Sequence, residues 1–303
     1  MYSIREKLAA FALAATALSA HLSHAQMDDV TIDVERVADG IYMLAGRGGN
    51  IGLSIGKEAT FIIDDQFAPL TGKITAAIAT VTDRPVDYVF NTHWHYDHVG
   101  GNEHLGAAGA LILAHDNVRG RMKAGQFFEI SGRNVEPAPA VALPVVTFDD
   151  GLKLHINGQT VEGIHVADAH TDGDTLVFFR EANVLHTGDT FVKDSFPFVD
   201  MGSGGSIDGL IAAAEVSLSL TDENSRIIPG HGALANRADL EAIHNMMKTI
   251  RDRVARMIDE GKSLAEILST KPTEEFDARF GGSGFITNEV FVGFVHKSLT
   301  AGE

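Results

Sequence analysis

The sequence predicts an α/β protein built as a four-layer αββα sandwich, with two sheets packed face to face and helices on the outer faces. Two observations predict it. Short β-branched strands and amphipathic helices run in the order strands, helices, strands, helices, so the chain reads as two similar halves, each able to form a sheet covered on one face. No linker-like or low-complexity stretch follows residue 26, so one domain is expected from a chain of 303 residues, long enough to bury a real core.

The first half opens with TIDVERV, GIYMLAG, NIGLSIG and ATFIIDD, short strands separated by glycine or charged turns. They read as an antiparallel meander. From Pro69 to Thr82, Leu70, Ile74, Ile78 and Val81 fall at helical spacing. VDYVFN is the next strand. A helix near His104–Ala108 and the strand LILA repeat the alternation, and HDNVRGRMK reads as helical. Residues 125–147 hold three prolines and no clear period, so they are expected to form a long surface excursion. The second half supplies the strands LKLHI, TVEGIHV, TLVFF and NVLHT, the helix IDGLIAAAEVSLSL and a short strand, RIIPG, running into His231. From about Asn236 the tail is mostly helical.

Composition narrows the function. There is no cysteine, which excludes a disulfide, a zinc knuckle, an iron–sulfur cluster and a thiol nucleophile. The formal charge is −17. Such a surface repels phosphate backbones and anionic lipid, arguing against nucleic-acid and membrane partners. The first residues predict export. MYSIREK is a charged start, LAAFALAATALSA is apolar but shorter than the ~20 residues of a membrane span, and Ser23 and Ala25 sit at the −3 and −1 positions of a cleavage site. The expected division is a signal peptide over 1–25 and a catalytic domain over 26–303. The expected location is periplasmic or secreted.

Residues 91–101, NTHWHYDHVGG, concentrate the chemistry. They begin where an apolar strand ends, which is where ligands collect in α/β proteins. On extended backbone, His93, His95 and Asp97 can project to one side, with His98 beside them and Gly100 and Gly101 free to turn into a helix. Imidazole nitrogen and carboxylate oxygen are ligands that zinc accepts. His170, Asp189 and His231 each stand on a strand-end loop beside glycine: DAHTDGDT, LHTGDTF and IIPGHG. His165, on a strand close to His170, is the rival to it. His170 is preferred because it lies at the strand end. Asp65 and Asp172 are candidate outer hydrogen-bond partners for the imidazoles.

HWHYDH, AHTDGD, HTGDT and IPGHG, in this order, resemble the metal motifs of the metallo-β-lactamase superfamily, over about residues 35–235. The resemblance implies that superfamily's four-layer fold and a dinuclear zinc site, two ions per chain, at one edge of the sheets. It implies that His93, His95 and His170 hold one metal, that Asp97, His98 and His231 hold the other, and that Asp189 bridges both. Asp97 would also orient a metal-bridging hydroxide, the nucleophile that attacks a substrate carbonyl. Iron-dependent flavodiiron relatives usually have Glu at the position of His95, so the imidazole favours a hydrolase. Many β-lactamases of the superfamily carry Cys or Ser where Asp189 stands; the bridging Asp resembles hydroxyacylglutathione hydrolases and lactonases.

The expected substrate is a small molecule, first a β-lactam amide and alternatively a lactone or thioester. A metal-binding module without turnover and an iron-dependent oxidoreductase are the readings from other classes. Around the ligands, Trp94 and Tyr96 are expected to pack beneath the loop, with contact to substrate as the alternative. Phe127 and Phe128 fit either an apolar wall or a small satellite core. Lys193, four residues after Asp189, is a candidate to hold a substrate carboxylate, with a solvated surface position as the alternative. In relatives a hairpin at the place of Arg47-Gly48-Gly49-Asn50 overhangs the site.

Overall fold

In a computed structural model, residues 27–128, 130, 132–281 and 285–301 are described. The segment read as a signal peptide lies outside them. The chain divides into two units, 1–31 and 32–303. The first is described only over 27–31, which begin with a helical turn. All that follows concerns the second.

The predicted meander is present. Strands β1 (Asp33–Ala38), β2 (Ile41–Ala45), β3 (Ile51–Ile55) and β4 (Thr60–Ile63) pair antiparallel in sequence order. Helix α1 (Thr71–Ile78) then carries the chain across to β5 (Tyr88–Phe90), which pairs parallel with β4. Its Ile74 and Ile78 are buried, as the four-residue spacing predicts. The ligand-rich stretch follows β5 and holds two short helices, α2 (Tyr96–Val99) and α3 (Asn102–Ala107). Next come β6 (Leu111–His115), parallel to β5, and α4 (Asp116–Ala124).

Residues 125–147 are more ordered than their prolines suggest. They contain a small hairpin of β7 (Gln126–Phe128) and β8 (Arg133–Val135). They end in β9 (Val146–Phe148), which closes the first sheet parallel to β6. A three-residue edge strand has too few positions to show a period, which is why the pattern concealed it.

The second sheet has the order β10 (Gly151–Ile156), β11 (Gln159–His165), β12 (Thr175–Phe179), β13 (Val184–His186), β14 (Arg226–Ile228) and β15 (Ala235–Asn236). Every pairing is antiparallel except β13 with β14. Helix α5 (Ile207–Leu220) makes the crossover between those two, as a parallel pair requires. Helices α6 (Arg237–Asp259), α7 (Leu264–Ser269), α8 (Glu274–Phe280) and α9 (Asn288–Thr300) form the tail.

Strand alternation builds the layers. Phe61 and Ile63 of β4 share a buried cluster with Val177 and Phe179 of β12, so the two sheets meet face to face. Phe61 packs edge-on against Phe90 at 6.3 Å and Phe179 at 6.2 Å. Leu176 and Phe178 point the other way, into a second cluster with Leu210 of α5 and Leu240 and Ile243 of α6. Ile62 and Val89 alternate with these residues and are fully buried on the opposite side of the first sheet. Among the described residues no helix is long and apolar enough to cross a membrane.

Candidate metal centre

The functional side chains stand on loops at strand ends. β5 delivers His93, His95, Asp97 and His98; the β11–β12 loop delivers His170; the turn after β13 delivers Asp189; and the end of β14 delivers His231. Gly188, at φ +51°, makes the turn that sets Asp189. The structure brings together His93, His95 and His170 as one group of donors within 4.8 Å, and Asp97, His98 and His231 as another. Asp189 lies between them. Its carboxylate oxygens are 3.1 Å from His98 Nε2, 3.4 Å from His231 Nε2 and 3.8 Å from His170 Nε2.

The partners behind each ring fix which nitrogen faces the centre. A carboxylate or carbonyl oxygen only accepts, so the ring nitrogen against it carries the hydrogen. His95 Nε2 donates to Asp200 Oδ2 at 2.9 Å. His170 Nδ1 donates to the Phe198 carbonyl at 2.9 Å, and His98 Nδ1 to Asp64 Oδ2 at 2.7 Å. Thr92 Oγ1 gives its proton to Asp64 Oδ2 and so accepts from His93 Nδ1 at 3.0 Å. The inward nitrogens of the first group are therefore bare. His95 Nδ1 and His170 Nε2 face each other at 2.9 Å, and His93 Nε2 is buried with no hydrogen-bond partner. Lone pairs so placed repel one another; a cation satisfies all three. The residues present thus fit a metal.

Electrostatics agree. Burial, then the neighbouring imidazoles His98, His95 and His170, hold His93 well below its ordinary pKa, which keeps it neutral. Burial and His170 lower His95 against the pull of Asp200. At the second group burial is outweighed by carboxylates. Asp189, Asp97 and Asp64 hold His98 well above its usual range, and Asp189 and Asp97 raise His231 to about 10. Burial would raise Asp189, but the charges of His231 and His98 hold it well below the usual carboxylate range. A field that draws protons onto two imidazoles is one that stabilises a cation.

His165 lies elsewhere, stacked on His115 at 3.8 Å with its Nδ1 on the Asp174 carbonyl. Neither Asp65 nor Asp172 touches a ligand imidazole. Asp65 accepts from Gly101 N at 2.8 Å, and Asp172 is held by Arg121. The partners that reach the rings, Asp64 and Asp200, escaped the sequence reading. Asp64 follows β4 directly and takes a left-handed backbone, φ +62°, a strained conformation typical of such sites. The strand-end position was its one visible signal. Asp200, in FVDMG, had none.

The hairpin tip is tied down rather than free. Gly49 N donates to the Asp97 carbonyl at 3.0 Å, and Asn50 N to that of Gly230 at 2.7 Å. Asn50 Nδ2 reaches the Pro229 and Gly232 carbonyls at 2.9 and 2.8 Å. The tip, the Asp97 loop and the His231 loop are therefore one hydrogen-bonded unit. A cavity of about 740 Å³ opens beside it, lined by Arg47, Tyr96, Phe128, Lys193, Phe198 and Phe285 among others, with His95, Asp97, Asp189 and His231 on its wall. Trp94 is buried, its Nε1 on Ser203 Oγ at 3.1 Å. Tyr96 is 41% exposed and faces the cavity. Phe128 forms wall and core at once, packing on Trp94 and His95. Lys193 Nζ is engaged by the Leu234 carbonyl at 3.0 Å and Asp239 Oδ2 at 3.2 Å.

Fold and donor groups together define an α/β sandwich with a candidate metal centre at one edge of its sheets. The sequence model of the metallo-beta-lactamase superfamily matches residues 46–231, and the chain belongs to that family. A hydroxyacylglutathione hydrolase from Polaromonas sp. is 27% identical over 55% of this chain and 57% of its own length. An atrochrysone carboxyl ACP thioesterase from Emericella nidulans is 27% identical over 57% of this chain and 50% of its own. The chain thus spans about half the length of these relatives. The crystal structure of the DIM-1 metallo-beta-lactamase superposes with a TM-score of 0.58 at 19% identity, covering 73% of this chain and 99% of that one.

Proposed function

We propose that this protein is an exported dizinc hydrolase that cleaves an acyl thioester or carboxylic ester. The observation that carries the reading is Asp189, whose carboxylate stands between two groups of donors that can each hold a cation. His93, His95 and His170 would hold one ion, Asp97, His98 and His231 the other, with Asp189 shared. Two divalent ions held there supply Lewis acidity and a water of lowered pKa near neutral pH. The chain supplies the rest. Asp64, Asp200, Thr92 and the Phe198 carbonyl orient the imidazoles. Asp97 lies 3.3 Å from His231 and would accept a hydrogen bond from an attacking water. Tyr96, Phe128 and Phe198 give an acyl group an apolar surface and limit water there.

The relatives named hydroxyacylglutathione hydrolase and atrochrysone carboxyl ACP thioesterase support thioester over lactam. So does Lys193, whose amine is already paired with Asp239 and is poorly placed to hold the carboxylate of a β-lactam. The β-lactam reading stands second. The likeness to β-lactamase structures favours it, although at 19% identity that likeness concerns the fold. The test is hydrolysis by zinc-loaded protein lacking residues 1–25, against matched thioesters, esters, lactones and β-lactams. Thioester or ester turnover abolished by chelation supports the proposal; turnover of β-lactams alone replaces it with the second reading.

A further inference from the structure

We propose that Arg47 reads the charge of the substrate, holding a carboxylate on a molecule whose apolar part lies against Phe128 and Phe198. The inference rests on the hydrolase reading above and names the substrate class within it: an acyl compound that is apolar at one end and anionic at the other.

Four observations carry it. Arg47 lines the cavity that the donor groups open into. Its backbone attachment is fixed, because the next two residues are pinned to a proposed ligand loop. A Cβ on Gly48 would fall 2.8 Å from the Asp97 carbonyl oxygen, and Gly49 N donates to that same oxygen. Third, Arg47 is exposed and makes no hydrogen bond or ion pair among the described residues. In a chain with 41 acidic residues and 24 Lys and Arg, partners for a cation are plentiful. The neighbouring cations illustrate it: Lys193 is paired with Asp239, and Arg279 bridges Asp194 and Asp239. Fourth, Phe128 and Phe198 pack against each other at 5.8 Å on the cavity wall. A fully apolar substrate gives Arg47 nothing to bind, and a small anion leaves the aromatic wall uncovered.

The chemistry suits a carboxylate. A guanidinium offers two parallel N–H donors that match two carboxylate oxygens, and it stays charged at any working pH. Such binding is shared by ground and transition states, so it acts on KM and leaves kcat nearly alone.

The experiment compares S-phenylacetyl thioglycolate with its neutral methyl ester, using zinc-loaded parent, Arg47→Gln and Arg47→Lys. The expected result is a KM about tenfold higher for the anionic thioester in Arg47→Gln, kcat within about twofold, little change for the methyl ester, and partial recovery in Arg47→Lys. Equal changes for both thioesters, or none, overturn the proposal. If the parent hydrolyses neither thioester, the thioester reading fails, and calorimetry with S-benzyl thioglycolate, a thioether that cannot be cleaved, judges Arg47 alone. Binding weakened about tenfold in Arg47→Gln supports the assignment. Equal affinity in parent and variant, or no binding to the parent, contradicts it.

Discussion

Arg121 grips Asp172 with two parallel bonds, Nε to Oδ1 and Nη2 to Oδ2, both 2.7 Å long. The pair joins α4 to the loop that carries His170. Asn117 adds a second tie, to the Asp172 carbonyl at 2.9 Å, and Arg121 Nη1 reaches Gln126 Oε1, at the start of the hairpin bearing Phe128. One side chain thus fastens a proposed ligand loop and an aromatic wall to the same helix. Arg121→Gln is expected to cost about 1 kcal/mol of stability, near the top of the range for ion pairs that keep contact with solvent, since this one is only partly exposed. It should also weaken metal binding at the His93, His95 and His170 group. Chemical denaturation and a metal titration check both; unchanged metal affinity would make the grip purely structural.

Asp200 stands behind His95 alone, whereas Asp64 stands behind His98 and, through Thr92, behind His93, so their loss should weaken the two groups unequally. Asp200→Ala frees His95 to turn, and Asp64→Ala frees His98. Outer partners of this kind are worth roughly 10–100-fold in metal affinity. Competition against a chromogenic chelator should show one weakened equivalent in Asp200→Ala and both weakened in Asp64→Ala, the group containing His98 and His231 more strongly. Identical curves for the two variants would mean that the groups are not independent.

Much of this was legible in the sequence, for stated reasons. The meander and the α1 spacing are local patterns; the strands form where the pattern placed them, and α1 forms with Ile74 and Ile78 buried but ends at Ile78, short of Val81, while the four motifs are found on strand-end loops. His170 rather than His165 joins His93 and His95 because it stands past the strand end, where the chain can turn inward. The missed features are those that need the assembled fold. Asp200 meets His95 across 105 residues, and Asn50 meets Pro229 across 179. The edge strand β9 is fixed by its pairing with β6, since three residues carry no pattern of their own. Lys193 shows the same limit: its sequence position suggested the site, and only the fold supplies Asp239.

Gly49 should tolerate no side chain. A Cβ there would lie 2.1 Å from His98 Cε1, inside the imidazole. Gly49→Ala must displace either the hairpin tip or the ring. The expected outcome is a folded protein, by circular dichroism, with the second metal equivalent lost or greatly weakened. Normal binding of two equivalents would show that the tip can move away at little cost.

Acid sensitivity should depend in part on Glu162. It is 4% exposed, in β11, and meets Lys153 at 2.8 Å and Arg180 at still shorter range. Hydrogen bonds from Lys153 and Arg180 lower its pKa. A carboxyl whose folded pKa is depressed adds stability that is present above its unfolded value, about 4.3, and lost as pH falls through the folded one. Parent protein should therefore lose more stability between pH 7 and pH 3 than Glu162→Gln does, by up to about 1 kcal/mol, since both partners are largely exposed. Parallel stability curves would remove Glu162 from the acid response.

The central claim is that one chain holds two metal ions sharing Asp189. Anomalous scattering at the zinc edge, from crystals of the zinc-loaded protein, tests it most directly. Two peaks are predicted, one among His93, His95 and His170 and one among Asp97, His98 and His231, with Asp189 touching both and about 3.5–4 Å between them. A single peak, or two peaks with Asp189 turned away from either, would contradict the account.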